Sequence, residues 1–257
     1  MIDLYSSSSN LGDNLGLTPL CLATRCRVHM YDDVGCRGVA PIFDGVAEVV
    51  FDNGKPGGES PKSNDPTHIY APTTIRHLIH HRMWTSGWRT SAIPRVVLKP
   101  EELAKARGFV ADFRSPCIIK CSPQVTDQRT PPRDLLARLV KANPDTTFLQ
   151  FGLSKAHAKY NFADVTVPGV QTFYDLPIRE QAAIYAVVGQ YVGPDTGDYH
   201  LMLAAGGSCD VLVPPESPTY AYAFFHYNDD CWTDGPSRVR YHDWTEPLRN
   251  FITRVTP

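Results

Sequence analysis

Gln190-Tyr191-Val192-Gly193-Pro194-Asp195-Thr196-Gly197-Asp198-Tyr199-His200-Leu201 joins a strand-forming run to a helix-forming one through a turn rich in glycine and aspartate. A strand, a tight loop and a helix in that order make the corner of a parallel α/β sheet. Ligands bind beyond the carboxyl ends of such strands, where N–H groups at a helix start can hold phosphate. Gly193 and Gly197 permit close backbone approach, Thr196 offers a hydroxyl, Thr196 or Asp198 can cap the helix, and His200 lies one turn into it. The same spacing also suits an ordinary βα turn with a capping threonine and a half-buried histidine, and spacing alone slightly favours that plainer form.

Working outward, the second half alternates short apolar runs with amphipathic stretches, as a parallel sheet requires. Cys117–Cys121 reads as a strand. Pro131-Pro132 opens a helix over Asp134–Val140 that stops before Asn143-Pro144. Thr146–Phe151 and a short Asp164–Val167 ending at Pro168-Gly169 are the next strands, and Ile178–Val188 is an alanine-rich helix. Gly206-Gly207 ends the helix after the opening loop, and Asp210–Val213 supplies a fifth strand.

The first half repeats this logic less clearly, with strands at Ile2–Tyr5, Cys26–Tyr31 and Val46–Phe51 and helices over Leu15–Thr24 and Thr73–Trp84. Asn53–Pro66, rich in Gly, Pro, Ser and Lys, reads as a surface loop. Arg95–Leu98 reads as a strand, a helix follows from Pro100, and Arg107–Pro116 is the expected passage between halves. The expected fold class is α/β: two Rossmann-like lobes, residues 1–110 and 111–240, with a closing helix in 241–257.

The 257 residues are 42% hydrophobic and 20% charged, the balance of a globular chain long enough to bury a core. A net charge of −2 gives no bulk attraction to nucleic acid or anionic membrane, and leaves only local patches to consider. Met1-Ile2-Asp3-Leu4-Tyr5 lacks the basic start of a signal peptide and no apolar stretch approaches spanning length, so a cytoplasmic location is expected. Seven cysteines is an odd count, with Cys21/Cys26 and Cys117/Cys121 at neither zinc nor evident disulfide spacing, and Cys117 and Cys121, on one face of a strand, read as buried reduced thiols.

The opening stretch resembles the strand-DTG-x-x-H-helix signature of the heptosyltransferases, inverting glycosyltransferases of lipopolysaccharide-core synthesis with the GT-B architecture. Ser9-Asn10-Leu11-Gly12-Asp13-Asn14-Leu15-Gly16-Leu17-Thr18-Pro19-Leu20 is similar to that family's G-D-x-x-x-x-T-P opening. Asp127-Gln128-Arg129-Thr130-Pro131-Pro132 more weakly resembles the basic turn after the first donor-domain strand. The likeness covers most of residues 94–214 and the first two dozen residues. It implies lobes facing a cleft, in a compact version with a reduced N-terminal lobe.

The resemblance implies roles that the chemistry of the residues can support. Inverting transfer needs a base to take the acceptor's hydroxyl proton while a nucleotide diphosphate leaves from the opposite side of the sugar carbon. Asp13 fits the base, although an aspartate capping a helix at Leu15 is an equal reading on the residues alone. Thr196 and Gly197 would hold the diphosphate and Asp195 and His200 the sugar or phosphate. Arg129 with helix N-termini would balance leaving-group charge, so no metal and no cofactor beyond the nucleotide-diphosphate sugar is required. Leu176 and Ile178 lie where the family's base-binding backbone does.

Arg76-His77-Leu78-Ile79-His80-His81-Arg82-Met83-Trp84 matches nothing in the family. A metal site there lacks carboxylate or cysteine partners, and a solvated helix face is the commonest outcome for such a run. The intermediate reading is a basic, aromatic patch, Arg76, His80 and Trp84 with Asn10, that holds an anionic acceptor. Asp229-Asp230 reads as a turn. The acceptor stays open between a lipopolysaccharide-type glycan and a modified nucleic-acid base. The rivals are a non-catalytic nucleotide-sugar-binding protein, against which Asp13 in its motif argues, and a sugar-nucleotide epimerase.

Overall fold

The computed structural model of the chain describes residues 2–6, 11–23, 25–52, 68–70, 94–121, 130–153, 166–214 and 239–243. They fall into two compact units, Met1–Lys99 and Pro100–Pro257.

The first unit runs β1 (Ile2–Ser6), α1 (Leu11–Leu15), α2 (Thr18–Ala23), β2 (Cys26–Tyr31), α3 (Val34–Val39), a 3-10 turn (Ala40–Phe43), β3 (Glu48–Asp52) and β4 (His68–Tyr70). Its sheet has the order β3-β2-β1-β4, every pair parallel. Alternation along β2 buries Cys26, Val28 and Met30 on one face with Leu4, and leaves Arg27 and His29 on the other. That second face is charged: Arg27 donates to Asp3 at 3.0 Å, and His29 sits between Asp3 at 3.2 Å and Asp52 at 3.1 Å.

The helix expected over Leu15–Thr24 is α2, Thr18–Ala23, and a separate short helix, α1, precedes it. Leu17 N–H bonds back to Asn14 at 3.0 Å, and Thr18 Oγ1 donates to the Leu15 carbonyl at 2.8 Å, which turns the chain between the two helices, and Pro19 stands in the first turn of α2. Arg95–Leu98 forms no strand. Its Arg95 N–H donates to Thr18 Oγ1 at 2.9 Å, a side-chain partner in place of a ladder, and Val97 is 43% exposed.

The second unit comprises α4 (Pro100–Val110), β5 (Cys117–Ile119), α5 (Arg133–Ala142), β6 (Phe148–Gly152), β7 (Val170–Tyr174), α6 (Ile178–Val188), β8 (Gln190–Pro194), α7 (Gly197–Ala204), β9 (Ser208–Val213) and β10 (Val239–Asp243). The strands pair in parallel in the order β10-β9-β8-β5-β6-β7. Counted from β5, this is the doubly wound order 3-2-1-4-5-6, which reverses between β5 and β8. Cys117, Ile119 and Cys121 share one face in a core with Leu136, Leu139, Phe148 and Leu212. The six cysteines among the described residues are buried. Burial, then the nearby Asp210, pushes the Cys117 thiol up to about 12, which keeps it unreactive.

Helix α4, expected at the end of the first lobe, belongs to the second unit. Glu102 accepts a bidentate pair of 2.6 Å bonds from Arg179 of α6, and Lys105 reaches Glu180 at 3.1 Å. Phe109 packs edge-on against Phe173 and Phe113. The third strand is also displaced from the reading above: Thr166 and Val167 are irregular, and pairing starts only at Val170, past the turn where Gly169 takes φ +88°. β10 was not anticipated. It runs through the expected boundary at 240/241 and makes this sheet six-stranded.

β10 is tied to β9 by charge. Asp210 accepts from Arg240 Nε and Nη2 at 2.7 and 2.8 Å and bonds His242 Nε2 at 2.7 Å. Burial pushes the Asp210 carboxyl up, but Arg240 and His242 outweigh it and hold it below the usual carboxylate range. A carboxyl whose folded pKa lies below its unfolded value stabilises the fold above the unfolded value, and that contribution is lost as pH falls through the folded one. Asp210→Asn is therefore expected to cost about 2 kcal/mol at neutral pH. In urea titrations its deficit against the parent should shrink below about pH 4.

Candidate active site

Parallel sheets present their ligand crevice at the carboxyl ends of the strands, at the point where strand order reverses. In the second sheet that point lies between β5 and β8, and the loop Asp195-Thr196 leading into α7 leaves the carboxyl end of β8 there. Val192 of β8 pairs with Ile119 of β5, and Lys120 N–H extends the ladder to the Val192 carbonyl at 3.1 Å.

Thr196, rather than Asp198, caps α7, with Oγ1 accepting the Asp198 N–H at 3.3 Å. Tyr191 spends its one hydroxyl proton on the Pro194 carbonyl at 2.8 Å. In its 3.2 Å contact with Thr196 Oγ1 the donor must then be the threonine. The single Thr196 hydroxyl proton is thus shared within the loop, between Tyr191 Oη and, at 3.4 Å, Asp198 Oδ2. Asp198 also accepts the Tyr185 hydroxyl at 2.7 Å. Burial, then the Asp198 charge, pushes both Tyr185 and Tyr191 well above the ordinary phenol range, so they act as fixed neutral donors. His200 is buried, with Nε2 3.7 Å from Asp195 Oδ1. Thr196→Ala removes the cap and is expected to cost about 1 kcal/mol in urea denaturation.

Of the residues expected at a donor site, Asp195, Thr196, Gly197 and His200 are brought together on this loop. Leu176 and Ile178 follow the carboxyl end of β7, at the same end of the sheet; the Leu176 carbonyl accepts from Gln181 Nε2 at 2.7 Å, and Asp175 beside it has φ +59°. Arg129 lies outside the described residues, as do Asn10, Arg76, His80 and Trp84.

Asp13 lies in α1, just past the carboxyl end of β1, and β1 with β4 flanks the reversal point of the first sheet. The helix begins at Leu11, so Asp13 is inside it and does not cap a helix at Leu15. α1 is tied to β1 by Ser6 Oγ donating to Asn14 Oδ1 at 2.7 Å, both side chains fully buried.

Sequence reading missed Lys120, and took Asp198 only as a possible cap. Lys120 follows β5, is 2% exposed, donates to the Phe151 carbonyl at 2.9 Å and stands 4.0 Å from Asp198 Oδ2. The available signal was a lysine inside the otherwise apolar Cys117-Ile118-Ile119-Lys120-Cys121. Among the described residues no group of His, Cys, Asp and Glu could hold a metal ion, and no helix is long and apolar enough to cross a membrane.

Two parallel α/β units, each with candidate residues beside its reversal point, define the class as a GT-B-type α/β fold. Solved structures narrow it to the fold of the heptosyltransferases. The chain is similar to a glycosyl transferase family 9 protein from Veillonella parvula DSM 2008, at 10% identity and TM-score 0.62 over 94% of this chain and 86% of the other. It is similar to E. coli ADP-heptose lps heptosyltransferase II, at 12% identity and TM-score 0.63 over 94% and 90%. It is also similar to E. coli heptosyltransferase WaaC solved with ADP, at 12% identity and TM-score 0.56 over all of both chains. No family model and no curated protein matches the sequence.

Proposed function

We propose that the chain is an inverting glycosyltransferase that moves a sugar from a nucleotide-diphosphate sugar to a hydroxyl acceptor, without a metal or further cofactor. The observation that carries this reading is the loop Asp195–His200 at the reversal point of a doubly wound sheet, in a fold shared with heptosyltransferases. N–H groups at the start of α7 meet the diphosphate, and the helix dipole and Arg129 balance its charge as it leaves. Asp195 and His200 contact the donor's sugar or phosphate, and the backbone at Leu176 and Ile178 holds the base. Asp13 takes the proton of the acceptor hydroxyl, whose oxygen attacks the sugar carbon opposite the departing diphosphate. Asn10, Arg76, His80 and Trp84 hold the acceptor, with a lipopolysaccharide-type glycan as the first to test.

The E. coli neighbours, one an ADP-heptose heptosyltransferase and one solved with ADP, make ADP-linked sugars the first donors to try. The deciding experiment incubates the protein with a panel of nucleotide sugars and follows nucleotide diphosphate release with and without glycan or nucleic-acid acceptors. Release that needs an acceptor is the expected result; tight binding of a nucleotide sugar with no release under any acceptor points to a non-catalytic binding protein and overturns transfer.

A further inference from the structure

The loop proposed to seat a diphosphate itself carries two carboxylates, Asp195 and Asp198. Asp198 is in the first turn of α7, where a fixed negative charge competes with an incoming phosphate for the helix N-terminus. Each carboxylate has a basic neighbour: His200 Nε2 at 3.7 Å from Asp195, and Lys120 Nζ at 4.0 Å from Asp198. Lys120 stands between Ile119 and Cys121, both fully buried, at a point where a lysine is costly and an aliphatic side chain would pack. Its ammonium is aimed at the carboxyl ends of the neighbouring strands, toward the Phe151 carbonyl on β6 and Asp198 beyond β8. Asp198 in turn gathers the Tyr185 hydroxyl, at 2.7 Å, and the cap residue Thr196.

We propose that Lys120 is a charge-balancing and positioning residue of the donor loop: by neutralising Asp198 it allows the start of α7 to accept a diphosphate, while Asp198 keeps its hold on Tyr185 and Thr196. This rests on the proposed function, since it presumes that the loop takes a nucleotide diphosphate. A purely structural ion pair would make the loss of either partner harmful in the same way. Charge balance makes the two losses opposite for an anionic ligand: removing the cation exposes the loop's negative charge, and removing the anion exposes a positive one.

The test is calorimetric titration of the full chain with ADP, UDP, GDP and CDP, continued with the tightest of them, on Lys120→Met, Asp198→Asn, the double variant and Lys120→Arg, with melting temperatures alongside. Lys120→Met is expected to weaken nucleotide binding about tenfold, the scale of one uncompensated charge near the ligand at a protein's effective dielectric. Asp198→Asn should bind at least as tightly as the parent even though both single variants melt earlier, each removing one side of the Lys120–Asp198 pair. The double variant should return to near-parental affinity and Lys120→Arg should retain it. If Lys120→Met does not fold, the contrast is read between Asp198→Asn and the double variant: Asp198→Asn should bind more tightly than the double variant, and equal affinity in the two overturns the proposal. Parental affinity in Lys120→Met, or weakening of the same size in both single variants, overturns the proposal alone. A parent that binds none of the four nucleotides overturns the donor reading, and this inference with it.

Discussion

Asp13→Ala is expected to bind nucleotide diphosphate as the parent does and to lose acceptor-dependent sugar transfer by about 10²–10⁴-fold, the range for removing a positioned general base. The split follows from where the residue lies. Asp13 belongs to the first unit, in the helix after β1, whereas the proposed donor loop is built wholly within the second unit, from β8 and α7. The Ser6–Asn14 bond fixes α1 to the end of β1 through groups the substitution leaves intact, so the fold should survive. Asp13→Asn, close to isosteric, should lose transfer as severely, because an amide cannot take up the proton. Full transfer by either variant would remove Asp13 from the chemistry and leave the transferase without its proposed base. Loss of nucleotide binding in step with transfer would instead make its role structural.

The second unit was largely legible because its punctuation is strong. Pro131-Pro132 and Asn143 bracket α5, Pro177 and Gly189 bracket α6, and Thr196 and Gly206 bracket α7, so the sequence reading and the structure agree there to within a residue or two. What stayed hidden was set by partners distant in sequence. β10 alternates Val239 and Tyr241 with Arg240 and His242, and the partner of both polar side chains is Asp210 of β9, 30 and 32 residues away. β4 is only three residues long and exists through its pairing with β1. Arg95–Leu98 has the composition of a strand, but the Thr18 hydroxyl takes its first N–H. At the site, the resemblance rather than the spacing pointed to Asp195, Thr196, Gly197 and His200, which lie together on one short turn and the first turn of α7. Lys120 could not be joined to Asp198 because their meeting depends on β5 lying beside β8, a consequence of strand order and not of anything local.

Gly193→Ala should be among the most damaging small substitutions in the second unit. A Cβ there would sit 2.7 Å from the Lys120 carbonyl oxygen, 2.8 Å from the Tyr191 hydroxyl and 3.1 Å from Lys120 Cβ. None of these can yield cheaply. The carbonyl belongs to a residue whose N–H is laddered to Val192, and the Tyr191 hydroxyl is held at 2.8 Å by Pro194. Relief must come from pushing the end of β8 away from β5, which carries Asp195, Thr196 and Gly197 with it. A loss of about 3 kcal/mol is expected, the upper part of the range for overpacking a closed site. Nucleotide diphosphate affinity should fall at least about tenfold, since a misplacement near 1 Å disables a positioned site. Gly189→Ala is the control. Gly189 ends α6 at φ +73° with nothing within 4 Å of the added atom. It should therefore cost only the left-handed backbone penalty of about 1 kcal/mol and leave nucleotide affinity unchanged. If Gly193→Ala matches that control in both melting temperature and affinity, the close approach of β5 and β8 under the loop is not what holds the site in shape.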